Sequence, residues 1–266
     1  MSSYVHGYDK AASARLIDQA TALNNLIHDG VRYPSDAHVL EIGCGVGSQT
    51  SILLRNCPGT RFTAMDKSSA SIEVVRNTLG DASGRLHACK GNAHAIEYDD
   101  DTFDHAFVCF VLEHLSEPDK ALQELHRVVK PGGTLTVVEG DHGSVIMHPH
   151  CPASIAAIEC QVDLQKHSGG DAFIGRRLNP LLNASGFKQV KVVPKQVYAD
   201  GSNPKLQEEF VRLTFIAMIE GVRNEALSAD LIEAEDFDKG VEALLAASQE
   251  GGTFAYSFFM ASAVVP

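Results

Sequence analysis

Three glycines at alternating positions, Gly43, Gly45 and Gly47, follow the apolar run Val39-Leu40-Glu41-Ile42, and an acid, Asp66, closes the next such run, which starts at Arg61. Glycine tolerates positive φ and lets backbone approach a ligand, and a helix expected over Ser48 to Asn56 turns an N-terminus that favours anionic groups toward the same space. An acid about 20 residues beyond such a loop accepts from the hydroxyls of a ribose. Loop and acid together predict a nucleoside cofactor. Glu41, two residues before the first glycine, narrows the choice, because a carboxylate repels a pyrophosphate and suits a cationic ligand. Ser48 stands where a dinucleotide-binding loop has its third glycine.

Two histidines could move a proton on the other side of such a ligand. His114 is expected right after the fourth strand and His142 right after the fifth, and imidazole titrates near neutral pH. His142 is read as the catalytic contact to the acceptor and His114 as a second candidate, with Asp141 available to orient the His142 ring. His148-Pro149-His150-Cys151 holds metal-ligating types, but it lacks a fourth ligand and a zinc-site scaffold, so no metal is expected. The six cysteines contain no Cys-x-x-Cys pair and read as reduced thiols.

Strand patterns near residues 38, 61, 86, 104 and 134 alternate with helical ones, and further strands are expected at Val190–Tyr198 and Thr253–Val264. Alternation of this kind means an α/β fold, a doubly wound, seven-stranded and mostly parallel sheet with a ligand crevice at the carboxyl ends of the strands. All the chemistry-bearing residues above fall at those ends. The simplest organisation is one domain over residues 1–266: an N-terminal helical segment at 1–30, a cofactor-binding core at 38–140, and helical insertions at 144–185 and 203–249. In the insertions, helices are expected at Ser154–His167, Pro204–Glu220 and Asp236–Gln249. Such additions cover the site in folds of this type. Phe210, Leu213, Phe215, Ala217 and Met218 suit a lid and the surface of a homodimer equally well.

A formal net charge of -12 with no offsetting basic run argues against a nucleic-acid partner. No apolar run is long enough to span a membrane and no signal-peptide pattern opens the chain, so a cytoplasmic protein is expected.

Three further segments follow the loop and Asp66 in order: Gly91-Asn92-Ala93, the run Phe103 to Leu115 ending in Glu113-His114-Leu115, and the turn Lys130-Pro131-Gly132-Gly133-Thr134 before a strand at Leu135–Glu139. Over roughly residues 38 to 140 the chain resembles the class I S-adenosylmethionine-dependent methyltransferases. The resemblance implies a Rossmann-like sheet with its last strand antiparallel, S-adenosyl-L-methionine as cofactor, and in-line methyl transfer to a small organic acceptor. It implies cofactor contacts from Tyr8, Arg15, Glu41, Gly43, Gly45, Gln49, Asp66, Lys67, Asn92, Ala93, Cys109 and His114. Asn92 stands where the family often has Asp, and its amide oxygen can still accept from an adenine amino group. Tyr4-Val5-His6-Gly7-Tyr8, Glu139-Gly140-Asp141-His142-Gly143-Ser144 and Gly251-Gly252-Thr253-Phe254 resemble an archaeal and bacterial group of small-molecule methyltransferases, which suggests specialised metabolism. The alternatives are an NAD(P)-dependent dehydrogenase, for which the third loop glycine and a Tyr-Lys pair are missing, and a catalytically silent S-adenosylmethionine-binding protein.

Overall fold

A computed structural model describes residue 20 and residues 23–266. The expectations for Tyr8 and Arg15, and for most of the helical segment at 1–30, lie outside the described residues. Seven strands form one sheet: β1 (His38–Ile42), β2 (Arg61–Asp66), β3 (Leu86–Lys90), β4 (Phe103–Cys109), β5 (Val129–His148), β6 (Lys188–Ala199) and β7 (Thr253–Val264). Their order is β3-β2-β1-β4-β5-β7-β6. β7 runs antiparallel to both β5 and β6, and the remaining pairings are parallel. The expected α/β class, the strand count and the antiparallel last strand are all present.

Parallel strands joined by helices must bury both faces, and the sequence supplies apolar stripes at helical spacing to do it. In α4 (Pro118–Val128), proline occupies the first turn, where a missing N–H costs nothing, and Ala121, Leu122, Leu125 and Val128 bury completely against the sheet. In α3 (Ser69–Leu79), Ser68 caps the start by accepting from the Ser71 N–H at 3.2 Å. α1 (Asn24–His28) and α2 (Ser48–Asn56) lie with α3 on one face, and α4 and α6 (Leu178–Ala184) lie on the other.

Beyond the core the chain departs from expectation in two places. The fifth strand does not stop at Glu139. It continues past a bulge between Asp141 and Ile146, where the long β7 still offers partners, pairing Ile146 with Ala255 and His148 with Thr253. Residues 144–148 are therefore strand, the helical insertion begins only at α5 (Pro152–His167), and His142 sits within β5 and not in a loop after it. The expected helix at Pro204–Glu220 is mostly a ten-residue π-helix, Gln207–Ile216, running into α7 (Ala217–Gly221). Thr214 donates its hydroxyl to the Glu209 carbonyl at 2.8 Å, five residues back, which supports the wider turn. α8 (Arg223–Ser228) and α9 (Ala234–Ala247) follow, and α9 packs on α5 where Gly240 has no Cβ to strike the Ala153 carbonyl. Phe210 and Phe215 of the π-helix are buried within this chain, against Phe254 and Tyr256 of β7. Among the described residues no helix is long and apolar enough to cross a membrane.

Candidate active site

The loop after β1 is built as its glycines require. Gly43, Gly45 and Gly47 have φ of +66°, +53° and +86°. A Cβ on Gly43 would fall 2.3 Å from a Val111 methyl, so the β1 loop is pressed against the segment after β4. The Asp66 carboxylate fixes the loop to β2. One oxygen accepts from the Gly45 N–H at 2.9 Å, and the other accepts from the Ser68 N–H at 2.8 Å. Each oxygen retains a second lone pair for a ligand hydroxyl. The Cys44 N–H donates to the Met65 carbonyl and the Gly91 N–H to the Asp66 carbonyl, so the three loops after β1, β2 and β3 are stitched together.

Glu41 is buried and accepts the Thr50 hydroxyl proton at 2.6 Å. Burial pushes its carboxyl up to about 7; the Thr50 bond opposes that shift and the nearby Asp66 adds to it. Gln49 in the first turn of α2 pairs through its amide oxygen with His28 Nε2 at 2.5 Å, and His28 stacks on Phe107. One residue earlier, at the first position of α2, the Ser48 hydroxyl is buried with no hydrogen-bond partner among the described residues. Asn92 is exposed, with its side-chain oxygen accepting from the His94 N–H at 3.0 Å. Ala93 is half-buried beside it, and Lys67 is exposed next to Asp66.

The loop after β4 holds a second constellation. Phe110 takes φ +58° and its N–H bonds the Val138 carbonyl at 2.9 Å, which turns the chain into a short 3-10 segment, Leu112–His114. A positive φ in a non-glycine side chain is costly and needs surroundings that hold it. Glu139 of β5 provides them. Its side chain is completely buried and accepts from the N–H groups of Val111 (3.0 Å), Leu112 (2.8 Å) and Glu113 (3.4 Å). Burial, then repulsion from Glu113, pushes the Glu139 carboxyl well above its usual range. Glu41, Glu113 and Glu139 all raise the Cys109 thiol further above the ordinary thiol range, where burial has already put it. The ends of β1, β4 and β5 thus gather three buried carboxyl groups, a setting that suits a cation better than an anion.

Glu113 joins the two histidines singled out from sequence. His114 Nε2 lies 3.6 Å from one of its oxygens and His142 Nε2 lies 3.8 Å from the other. Asp141 does not orient His142. It makes a two-point ion pair with Arg176 (2.7 and 2.6 Å) and accepts from the Gly143 N–H, because the bulge in β5 turns adjacent side chains apart. Gln165 of α5 donates to the Glu113 carbonyl at 2.9 Å and its carboxylate at 3.3 Å, and Gln161 donates to Gln165 at 2.8 Å. Glu113, Glu139, Gln161, Gln165, Thr50 and Tyr256 escaped the sequence reading as site residues. The available signal was a polar residue inside an apolar run, as in Thr136-Val137-Val138-Glu139, where only a partnered acid can be buried.

Residues 40–137 match the family described as methyltransferase domain. The chain is similar to O-methyltransferase resE of Aspergillus sclerotiorum, 26% identical over 71% of this chain and 70% of that one. It is 34% identical to the ubiquinone/menaquinone biosynthesis C-methyltransferase UbiE of Hahella chejuensis, over 41% of this chain and 45% of that one. Its fold is similar to that of a phosphoethanolamine N-methyltransferase 2 of Haemonchus contortus solved with S-adenosylhomocysteine, with a TM-score of 0.59 and 17% identity, covering 92% of this chain and 53% of that one. The chain thus spans about half the length of two of these three relatives. The glycine loop, Asp66 and the sheet order agree with the match of residues 40–137 to a methyltransferase domain.

Proposed function

We propose that the chain transfers a methyl group from S-adenosylmethionine to a small organic acceptor, within specialised metabolism. The observation that carries this reading is the Asp66 carboxylate, fixed by the Gly45 and Ser68 N–H groups at the end of β2 with lone pairs left for a ribose. The residues fit the cofactor in charge and in hydrogen bonding, since three buried carboxyl groups suit a sulfonium and the unpartnered Ser48 hydroxyl suits a polar ligand at the start of α2. When bound, the cofactor supplies an electrophilic methyl group. Asp66 holds the ribose, Asn92 and Ala93 border the adenine, and Lys67 flanks the sugar. Glu41, Gly43, Gly45 and Gln49 take the methionine end, joined by Tyr8 and Arg15. Cys109 and His114 line the floor at the end of β4. Rate comes mainly from holding both reactants in line with water excluded.

The same reading makes α5, the π-helix and α9 the cover of the acceptor, on one domain that includes the N-terminal segment. Homodimer formation through this cover is less favoured, because Phe210 and Phe215 are already buried against β7. Six free cysteines suit a reducing compartment such as the cytoplasm. The small-molecule methyltransferase group marked by the 4–8 and 139–144 segments is the subfamily we infer. Isothermal titration of the purified chain with S-adenosylmethionine, S-adenosylhomocysteine and NAD tests the cofactor. Micromolar binding of the first two and none of NAD is expected, and the opposite order would remove the proposal. Transfer of radiolabelled methyl to an acceptor panel separates an enzyme from a silent binder.

A further inference from the structure

Two buried polar atoms on the acceptor side have no partner among the described residues, and both belong to one network. His142 is 7% exposed, with Nε2 facing Glu113 at 3.8 Å and Nδ1 without a hydrogen-bond partner among the described residues. Gln161 is fully buried, spends its amide N–H on Gln165, and leaves its carbonyl oxygen unbonded. An unpaired buried polar atom forfeits its bonds to water with nothing in return, so two of them in one network point to a ligand that satisfies both. The nearby walls are aromatic: His142 lies 5.7 Å from the Tyr256 ring and 6.2 Å from Phe215, and Phe258 links Tyr256 to Phe110.

Resting on the methyltransferase reading above, we propose that His142, positioned by Glu113, is the general base for a phenol-type hydroxyl, and that Gln161 receives a second hydrogen-bond donor of the same aromatic acceptor. A carboxylate beside Nε2 favours the tautomer that carries its proton there, which leaves the Nδ1 lone pair free to accept. In the step, the hydroxyl proton passes to Nδ1 as the oxygen bonds the methyl carbon. The carbon–sulfur bond breaks with its electron pair going to sulfur, and S-adenosylhomocysteine leaves uncharged at sulfur. The imidazolium so formed is paired with Glu113 and loses its proton to solvent as product departs. The 3.8 Å separation is beyond a hydrogen bond and within ion-pair reach, and apo catalytic contacts commonly tighten on binding.

The groups around His142 leave Glu113 as its partner. His114 shares the 3-10 segment, and Asp141 and Asp171 are paired with Arg176 and Arg177. Glu139 is engaged by three main-chain N–H groups. Tyr256 of β7 is a poor base, since burial pushes its hydroxyl well above the usual range. Phe215 of the π-helix lies 6.2 Å from the His142 ring, and Gln165 of α5 contacts Glu113; both are uncharged.

Nitrogen NMR of 15N-histidine protein, with His142 assigned by its loss in His142→Ala, reads the neutral tautomer without cofactor or turnover. A proton on Nε2 is expected, and a proton on Nδ1 would overturn the proposal. Methyl transfer is then followed with 4-methylphenol, 4-nitrophenol and benzylamine. His142→Ala should lose about 100-fold or more in kcat on 4-methylphenol but under about 10-fold on 4-nitrophenol, which is largely ionised without help. Glu113→Gln should lower kcat on 4-methylphenol about 10-fold with KM changed by less than about twofold and with little loss on 4-nitrophenol, as expected of a residue that positions the base. Equal losses on the two phenols in either variant, or transfer to benzylamine alone or to none of the three, would each sink the base. Failure to bind S-adenosylmethionine would sink the methyltransferase reading itself, while the tautomer still judges the Glu113–His142 pair.

Discussion

The two halves of the crevice are assembled differently. On the cofactor side, Glu41, the glycine loop, Thr50 and Asp66 come from one short stretch of chain, and their contacts run largely through backbone: Asp66 binds two N–H groups, and the loop depends on φ values that glycine permits. On the proposed acceptor side, Glu113, Glu139, His142, Gln161 and Tyr256 come from four distant segments, and their contacts cross between those segments: Glu139 of β5 accepts from the loop after β4, and Gln165 of α5 reaches Glu113. Backbone chemistry tied to a motif holds one ligand constant. Chemistry spread over distant segments can change with the acceptor one side chain at a time, as at His142 or Gln161, without touching the glycine loop.

The sharpest way to break this contrast is Asp66→Ala. The substitution removes the grip on the loop and the proposed grip on the ribose together. Hydrogen bonds to a charged group are worth about 1.5–3 kcal/mol each, so the expected loss in S-adenosylmethionine affinity is about 3 kcal/mol, on the order of 100-fold, read by titration calorimetry. An affinity within about threefold of the parent would mean that the sugar lies elsewhere. A smaller effect is expected from Gly43→Ala, which probes where the halves touch. The new methyl meets Val111 at 2.3 Å and the residue must keep φ +66°, at a cost of about 2 kcal/mol in denaturant melts. Adding Val111→Ala should recover roughly half, since it relieves the contact and leaves the φ strain. Full recovery would show that strain contributes nothing, and no recovery that the loop after β4 is not pressed on the glycines.

The same contrast explains what could be read from the sequence. The strand ladder, the loop and Asp66 were legible because period, glycine spacing and a terminal acid are local signals. β7 was placed at its observed bounds by its apolar run between Gly252 and Pro266. The extension of β5 was not legible. Gly140 to Ser144 reads as loop, and only the pairing of Asp141 with Ser257 and Ile146 with Ala255 makes it strand, a long-range choice invisible in either segment alone. The π-helix was hidden for a related reason, because an i→i+5 turn carries nearly the same apolar pattern as an α-helix and depends on Phe210 and Phe215 reaching β7. Glu113 was visible within a motif, but its link to His142 crosses from the β4 loop to β5 and could not be inferred from spacing.

Glu41 offers the smallest effect and the finest test of the cofactor half. Its carboxyl titrates at about 7 in the fold against 4.5 as an ordinary glutamate, so between those values the folded chain keeps a proton that the unfolded chain gives up. Stability without ligand should therefore fall as pH rises across that window. A sulfonium placed beside Glu41, as proposed, would favour the carboxylate, so binding S-adenosylmethionine would expel the proton wherever the free protein still holds it. Affinity should rise about tenfold from roughly pH 6 to pH 8, with proton release detected as a dependence of the calorimetric heat on buffer ionisation enthalpy. S-adenosylhomocysteine has no charge on sulfur and should show a much flatter profile. Parallel pH profiles for the two ligands would place the cationic sulfur away from Glu41, and the charge argument for the loop would then rest on Glu113 and Glu139 alone.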